Sequence, residues 1–213
     1  ISLNGVSFRY SPDGREVLGD LSLDIEKGST IGFIGTTGSG KSTLLDIVMG
    51  LLVPSAGSLQ IDDITIVTEN LRDWQSKIAH VPQSIFLCDG SIAENIAFGI
   101  PLPLINNKKV KEAATLAQLS EVIEAMPEKY QTGVGERGVK LSGGQRQRIG
   151  IARALYKGAD VIIFDEATSA LDSKTEDAVM KAINIVGERL TILIIAHRTT
   201  TLRNCNKIVE LDG

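Results

Sequence analysis

Cysteine is scarce in this chain of 213 residues: Cys88 and Cys205 are too few for a disulfide framework, and neither sits in a metal-ligand spacing such as C-x-x-C. That usage fits a reducing cytosolic setting. Long hydrophobic runs are missing too. Val161 to Phe164 and Ile192 to Ala196 fall far short of the roughly 20 residues that a membrane-spanning helix needs, so the chain is not expected to cross a bilayer. A basic stretch leading into a long apolar one is absent, and with it any visible signal peptide. There is no excess of positive charge either: 22 Lys and Arg stand against 26 Asp and Glu, a formal net charge of −4, which counts against a general nucleic-acid binder. Repeats, low-complexity tracts and flexible linkers are also absent.

What remains is ordinary globular composition, with 43% hydrophobic and 23% charged residues. The length suits one domain, or one domain carrying an inserted subdomain. Ile1 stands first instead of Met, and Gly213 closes a strand-like Lys-Ile-Val-Glu-Leu-Asp-Gly, so both ends are expected to be cuts from something longer.

Leu3, Val6, Phe8 and Tyr10 interleave with polar residues, a Ser-Pro-Asp-Gly turn follows, and Val17, Leu21, Leu23 and Ile25 continue the alternation. This predicts antiparallel strands. Ser29 to Ile34 reads as a short buried strand entering a glycine-rich turn, and Lys41 to Leu52 has helical spacing. From Ser84 to Leu155 short helices are expected, at Asn107 to Leu119, Glu121 to Met126 and Gly144 to Tyr156. The last third alternates again, with strands at Asp160 to Phe164, Thr191 to Ala196 and Lys207 to Leu211 and a helix at Ser173 to Val186. Such alternation predicts an α/β fold whose parallel sheet is covered on both faces.

Gly35-Thr36-Thr37-Gly38-Ser39-Gly40-Lys41-Ser42 fits G-x-x-x-x-G-K-[ST] between a predicted strand and a predicted helix. Glycines at 35, 38 and 40 let the backbone close round an anion, so that N–H groups and the helix N-terminus, up to Thr43, point at phosphates. Lys41 would reach the outer phosphates and Ser42 would coordinate Mg²⁺. The plain alternative is a glycine-rich turn with a surface lysine. Val161 to Glu166 is an apolar strand ending in two acids, Asp165 suited to hold Mg²⁺ and Glu166 to take a proton from an attacking water. Otherwise the two would be helix-capping acids. Leu141-Ser142-Gly143-Gly144-Gln145 opens a helix, with Ser142 an apt N-cap and two glycines exposing the first N–H groups, a second anion site in the chain.

Taken in order, the phosphate loop, Leu141 to Gln145, Asp165 with Glu166, Ser169-Ala-Leu-Asp172 and a lone His197 after an apolar strand resemble the ATPase domain of ABC transporters over essentially the whole chain. The resemblance implies a P-loop NTPase core of RecA type with an N-terminal antiparallel β subdomain (1–83 and 156–213) and an inserted helical subdomain bearing the signature (84–155). It implies ATP and Mg²⁺ as ligands, and a second copy of the chain bound head to tail, each ATP lying between one phosphate loop and the other chain's Ser142 to Gln145. Tyr10 resembles the aromatic that stacks on adenine, Gln83 the glutamine that touches Mg²⁺ and the attacking water, Asp172 the aspartate that reaches across the dimer, and His197 the γ-phosphate contact. Without the resemblance these would be a strand residue, a loop amide, a helix cap and a structural histidine.

Asp89-Gly-Ser-Ile-Ala-Glu-Asn-Ile and Val134-Gly-Glu-Arg-Gly resemble the exporter branch, and the stretch from Ile96 to the signature resembles bacterial exporters of lipid-linked oligosaccharides and polysaccharides. On that branch a transmembrane portion absent from this chain is the expected partner, Phe86 and Leu87 would line its docking groove, and the domain would work at the cytoplasmic face of a membrane. Gly133 departs from the acid that many exporters carry there. An importer ATPase subunit, and a soluble ATPase of the same type acting on DNA or ribosomes, are the other readings. The exporter-like segments oppose the first. The interval from Lys41 to Leu141, too short for long coiled-coil arms, and the net charge of −4 oppose the second.

Overall fold

The structure, a computed structural model, describes residues 1–167, 170–186, 190–195, 202–203 and 205–212, with 184–186 described in backbone alone. Its contacts divide the chain into two compact units, one of Ile1–Ile78, Asp160–Asp165 and Arg189–Gly213, the other of Ala79–Ala159 and Glu166–Glu188.

The first unit holds two sheets. In one, β1 (Ser2–Phe8) pairs antiparallel with β2 (Leu18–Asp24) and with β4 (Ala56–Ile61), and β4 pairs with the short β5 (Ile64–Thr65). Leu3 lies opposite both Leu23 and Leu59, and Phe8 opposite Leu18, all buried, and the register against β2 shifts between Leu3 and Val6, where Gly5 stands at φ 58°, so that a bulge interrupts the expected alternation. In the other sheet, β3 (Thr30–Ile34) lies parallel between β8 (Thr191–Ile195) and β9 (Lys207–Glu210), and β8 pairs with β7 (Val161–Asp165). β8 is buried along its whole length and β7 over its first four residues, as strands covered on both faces should be. The α/β class and both sheets agree with the pattern read from the sequence.

Helix α1 (Lys41–Val48) is shorter than its periodicity predicts. Gly50 sits at φ 66° and its N–H bonds the Ile47 carbonyl at 2.9 Å, while the Leu51 N–H bonds that of Asp46 at 2.8 Å. This paired closure ends the helix although Leu51 and Leu52 keep its spacing. The sequence reading named neither the β4–β5 hairpin nor α2 (Leu71–Ser76), whose Trp74 is buried and donates from Nε1 to the Val48 carbonyl at 2.7 Å.

The second unit begins with most of β6 (Ile78–Val81) and is otherwise helical: α3 (Ile92–Ile96), α4 (Asn107–Leu116), α5 (Ser120–Glu124), α6 (Gly143–Lys157) and α7 (Ser173–Val186). α6 packs on α3 and α4. Gly150 permits close approach, since a Cβ there would stand 2.4 Å from Ile85 Cδ1. Arg153 braces α3 and the segment before it by donating from Nε to the Asn95 carbonyl at 2.9 Å and from Nη1 to that of Phe86 at 3.2 Å. No described helix is long and apolar enough to cross a membrane.

Candidate functional site

β3 delivers the chain into the phosphate loop at the C-terminal edge of the parallel sheet. Gly35 lies at φ 142°, Gly38 at 84° and Gly40 at 92°, backbone that L side chains rarely adopt. A Cβ at Gly35 would also lie 2.4 Å from the Leu211 carbonyl oxygen. Thr36, Thr37 and Gly38 form the exposed crest of the loop, Ser39 is buried, and Gly40 leads into α1 with no side-chain cap on the helix N-terminus. Lys41, almost fully buried, folds back under this arch: its Nζ donates to the carbonyls of Gly35 at 2.9 Å and Thr36 at 2.7 Å and to Ser39 Oγ at 3.3 Å. The ammonium thus sits inside the loop that the sequence assigned to phosphates. Ser42 is exposed beside it, and Thr43 is buried.

Asp165 ends β7 at the same edge. It pairs with Ile195 of β8, which in turn pairs with Phe33 of β3, so the carboxylate and the phosphate loop leave the sheet in one direction. Ser42 and Asp165 offer an alcohol and a carboxylate, the hard oxygen donors that Mg²⁺ takes. No group of three or more His, Cys, Asp or Glu that could hold a metal ion by itself occurs among the described residues.

Tyr10 lies past the end of β1 and is 66% exposed, unlike the buried Phe8 two positions earlier. Its ring meets Phe8 edge to face, with centroids 4.9 Å apart, and its hydroxyl shares a 2.9 Å hydrogen bond with Thr43 Oγ1. An exposed aromatic is therefore tethered at its far end to the helix that follows the phosphate loop, a link no local pattern reveals.

The remaining described candidates lie in the second unit. Glu166 follows Asp165 directly and adopts φ 51°, a left-handed conformation that costs a residue with a side chain roughly 1 to 3 kcal/mol and gathers at functional sites. Its Oε2 accepts from Gln83 Nε2 at 2.7 Å, which joins the acid to the loop after β6. Ser142 caps α6 as expected, accepting from the Gln145 N–H at 3.2 Å while Gln145 Oε1 accepts from the Ser142 N–H at 2.8 Å. This reciprocal box makes Gln145 part of the cap, and Gly143 and Gly144 are half-buried between. Asp172 caps α7: Oδ1 accepts from the Thr175 N–H at 3.0 Å and Oδ2 from its hydroxyl at 2.6 Å. Those bonds hold its carboxyl below the usual carboxylate range. Asp172 can take this place because α7 starts at Ser173, the next residue.

Of the two groove candidates only Phe86 is exposed, at 59%, whereas Leu87 is fully buried. A Cβ on Gly138 would stand 2.7 Å from Leu87 Cδ1, which places Leu87 in the core of this unit. Leu87 is thus a packing residue and does not line a groove. His197 and Ser169 lie outside the described residues. Gln147, which the sequence reading passed over, is buried and bonded to the Ala170 N–H. Its place on the apolar face of α6, in register with Ile151 and Ala154, was the available signal.

Known proteins resemble this chain in sequence and in fold. Residues 18–169 match the family model described as ABC transporter. The chain is 40% identical over 208 residues to an ATP-dependent lipid A-core flippase of Ralstonia nicotianae, covering 97% of this chain and 35% of the relative. It is 42% identical over 213 residues to the alpha-hemolysin translocation ATP-binding protein HlyB of Escherichia coli O157:H7, covering all of this chain and 30% of that one. A solved structure of a bacterial Atm1-family ABC exporter with ATP bound superposes with a TM-score of 0.92 at 36% identity, over 99% of this chain and 36% of its own. The chain thus spans about a third of the length of these relatives. With the family model matched over residues 18–169 and relatives 40% identical over nearly all of its length, the chain belongs to the ABC transporter family.

Proposed function

We propose that this chain is the ATP-hydrolysing domain that drives an exporter, working on the cytoplasmic side of a membrane with a transmembrane portion outside these residues. The observation that carries the reading is the placement of Glu166: next in sequence to Asp165 at the sheet edge that bears the phosphate loop, held at φ 51°, and bonded to Gln83. Relatives named as a flippase, a translocation ATP-binding protein and an exporter support the direction of transport.

Phosphoryl transfer asks little covalent chemistry of a protein, so positioning and charge carry the rate. Lys41 and the loop N–H groups from Gly35 to Thr43 would hold the phosphates, and Tyr10 would stack on adenine. Ser42, Asp165 and Gln83 would hold Mg²⁺, which neutralises charge on the outer phosphate oxygens when bound. Glu166 would take the proton of the attacking water, with His197 near the γ-phosphate. A second copy would close the site by presenting Ser142 to Gln145, an N-terminus suited to an anion, with Asp172 reaching across. Hydrolysis then removes the group that bridges the two copies, and opening of the dimer is linked to chemistry.

The test is ATP turnover with and without Mg²⁺. Glu166→Gln should bind ATP like wild type and hydrolyse it about 10²- to 10⁴-fold more slowly, the usual share of a positioned base. Wild-type turnover in that variant would remove Glu166 from the mechanism.

A further inference from the structure

A buried amide side chain is costly unless its polar atoms are bonded, so the partners of such a residue show what holds it there. Gln147 is 5% exposed on the buried face of α6, and its Oε1 accepts the Ala170 N–H at 2.9 Å. Contact with the same short stretch continues towards the N-terminus of α6. A Cβ on Gly144 would lie 3.2 Å from the Ala170 carbonyl oxygen and 3.6 Å from Leu171 Cδ2, and one on Gly143 would lie 3.6 Å from Ala170 Cβ. The first turn and a half of the helix therefore rests on Ala170 and Leu171.

That stretch lies between two residues with fixed attachments. Upstream, Glu166 is bonded to Gln83, and downstream, Asp172 caps α7. The glycine contacts are van der Waals and tolerate sliding, whereas an N–H···O bond is directional and weakens steeply when misaligned. A shift at Ser142 to Gln145 can thus be carried to Ala170 by the bond that Gln147 makes. We propose that Gln147 is a positioning residue, which transmits nucleotide contact at the N-terminus of α6 to the placement of Glu166. The proposal rests on the reading of Glu166 as the base. It predicts that the two copies can assemble on ATP yet hydrolyse poorly when the bond is lost.

The experiment compares Gln147→Met, Gln147→Glu and Gln147→Asn in the full-length protein. The readouts are kcat and KM for Mg-ATP, the thermal midpoint, and ATP-driven dimer formation in a Glu166→Gln background. Methionine keeps the shape and loses the acceptor, so kcat should fall roughly 10- to 100-fold, as for an ångström-scale misplacement at a reacting centre, with KM and dimer formation little changed. Glutamate keeps an acceptor at the same reach and should retain most of kcat, and asparagine, one methylene shorter, should fall with methionine. If Gln147→Met does not fold, the contrast of asparagine with wild type carries the same reading. Unchanged kcat in the methionine and asparagine variants, or a loss shared equally by Gln147→Glu, would overturn the proposal while leaving the proposed function standing. A wild-type protein that does not hydrolyse ATP would overturn both.

Discussion

Gln83 Nε2 donates to Glu166 Oε2 at 2.7 Å, and this bond joins the loop after β6 to a residue held in left-handed backbone. The strain at Glu166 sets where its carboxylate starts, and the amide of Gln83 sets where it points. Gln83→Ala should therefore leave ATP affinity largely intact and lower kcat about 10-fold, less than removal of the carboxylate itself. Steady-state kinetics at saturating Mg²⁺ would decide, and a change confined to KM would leave Gln83 its part in holding Mg²⁺ and remove it from the aiming of Glu166.

Tyr10 separates two contributions that are usually confounded. Tyr10→Ala should weaken ATP binding by about 1 to 3 kcal/mol, the worth of a base stacked on an aromatic. Tyr10→Phe keeps the ring and loses only the bond to Thr43, so it should weaken binding by a smaller step at unchanged kcat. Titration with ATP would check both, and equal affinity in all three proteins would make Tyr10 a surface residue of the first unit.

Dimer formation should follow nucleotide state. Glu166→Gln with saturating Mg-ATP should sediment as a dimer and with ADP as a monomer. Adding Ser142→Arg should abolish the dimer by placing bulk and charge at the N-terminus of α6. A monomer under every condition would refute the shared site for this chain.

Phe86 and Leu87, neighbours in sequence, should behave oppositely. Leu87→Ala empties a fully buried position and should cost about 2 to 5 kcal/mol of stability, seen in a denaturant titration. Phe86→Ser should leave stability nearly unchanged and reduce transport by the full-length protein without reducing its ATP turnover. Unimpaired transport would remove Phe86 from the docking surface.

The α7 cap carries a pH dependence whose sign follows from its carboxylate. Thr175 stabilises the charged form of Asp172, so the folded pKa lies below the unfolded one. The stabilisation is present above the ordinary carboxylate pKa and is lost as pH falls through the lowered value. Thr175→Val removes the hydroxyl bond and should narrow the gap in stability between pH 7 and acid. An acid-unfolding profile identical to wild type would contradict this.

Much of the protein was legible in the order of its residues. Glycines at 35, 38 and 40 before Lys41 permit little but a backbone arch, because the positive φ values found there are open to glycine and penalised elsewhere. Unbroken apolar runs in β7 and β8 likewise marked the strands that are buried on both faces, whereas in β1 the bulge between Leu3 and Val6, which brings both into the core, was not legible from alternation. The capping of α6 by Ser142 was legible, being a contact across three residues. Tertiary structure decided what depends on distant partners. Periodicity could not show where α1 stops, since that lies in the φ of Gly50, nor that α7 packs with the helical unit although it lies beyond 156 in the chain. Nor could it separate Leu87 from Phe86, bring Tyr10 to Thr43, or join Gln147 to Ala170. Local sequence sets backbone preference and the apolar face, whereas the bonds that aim a side chain across the site form only once the distant segments have packed.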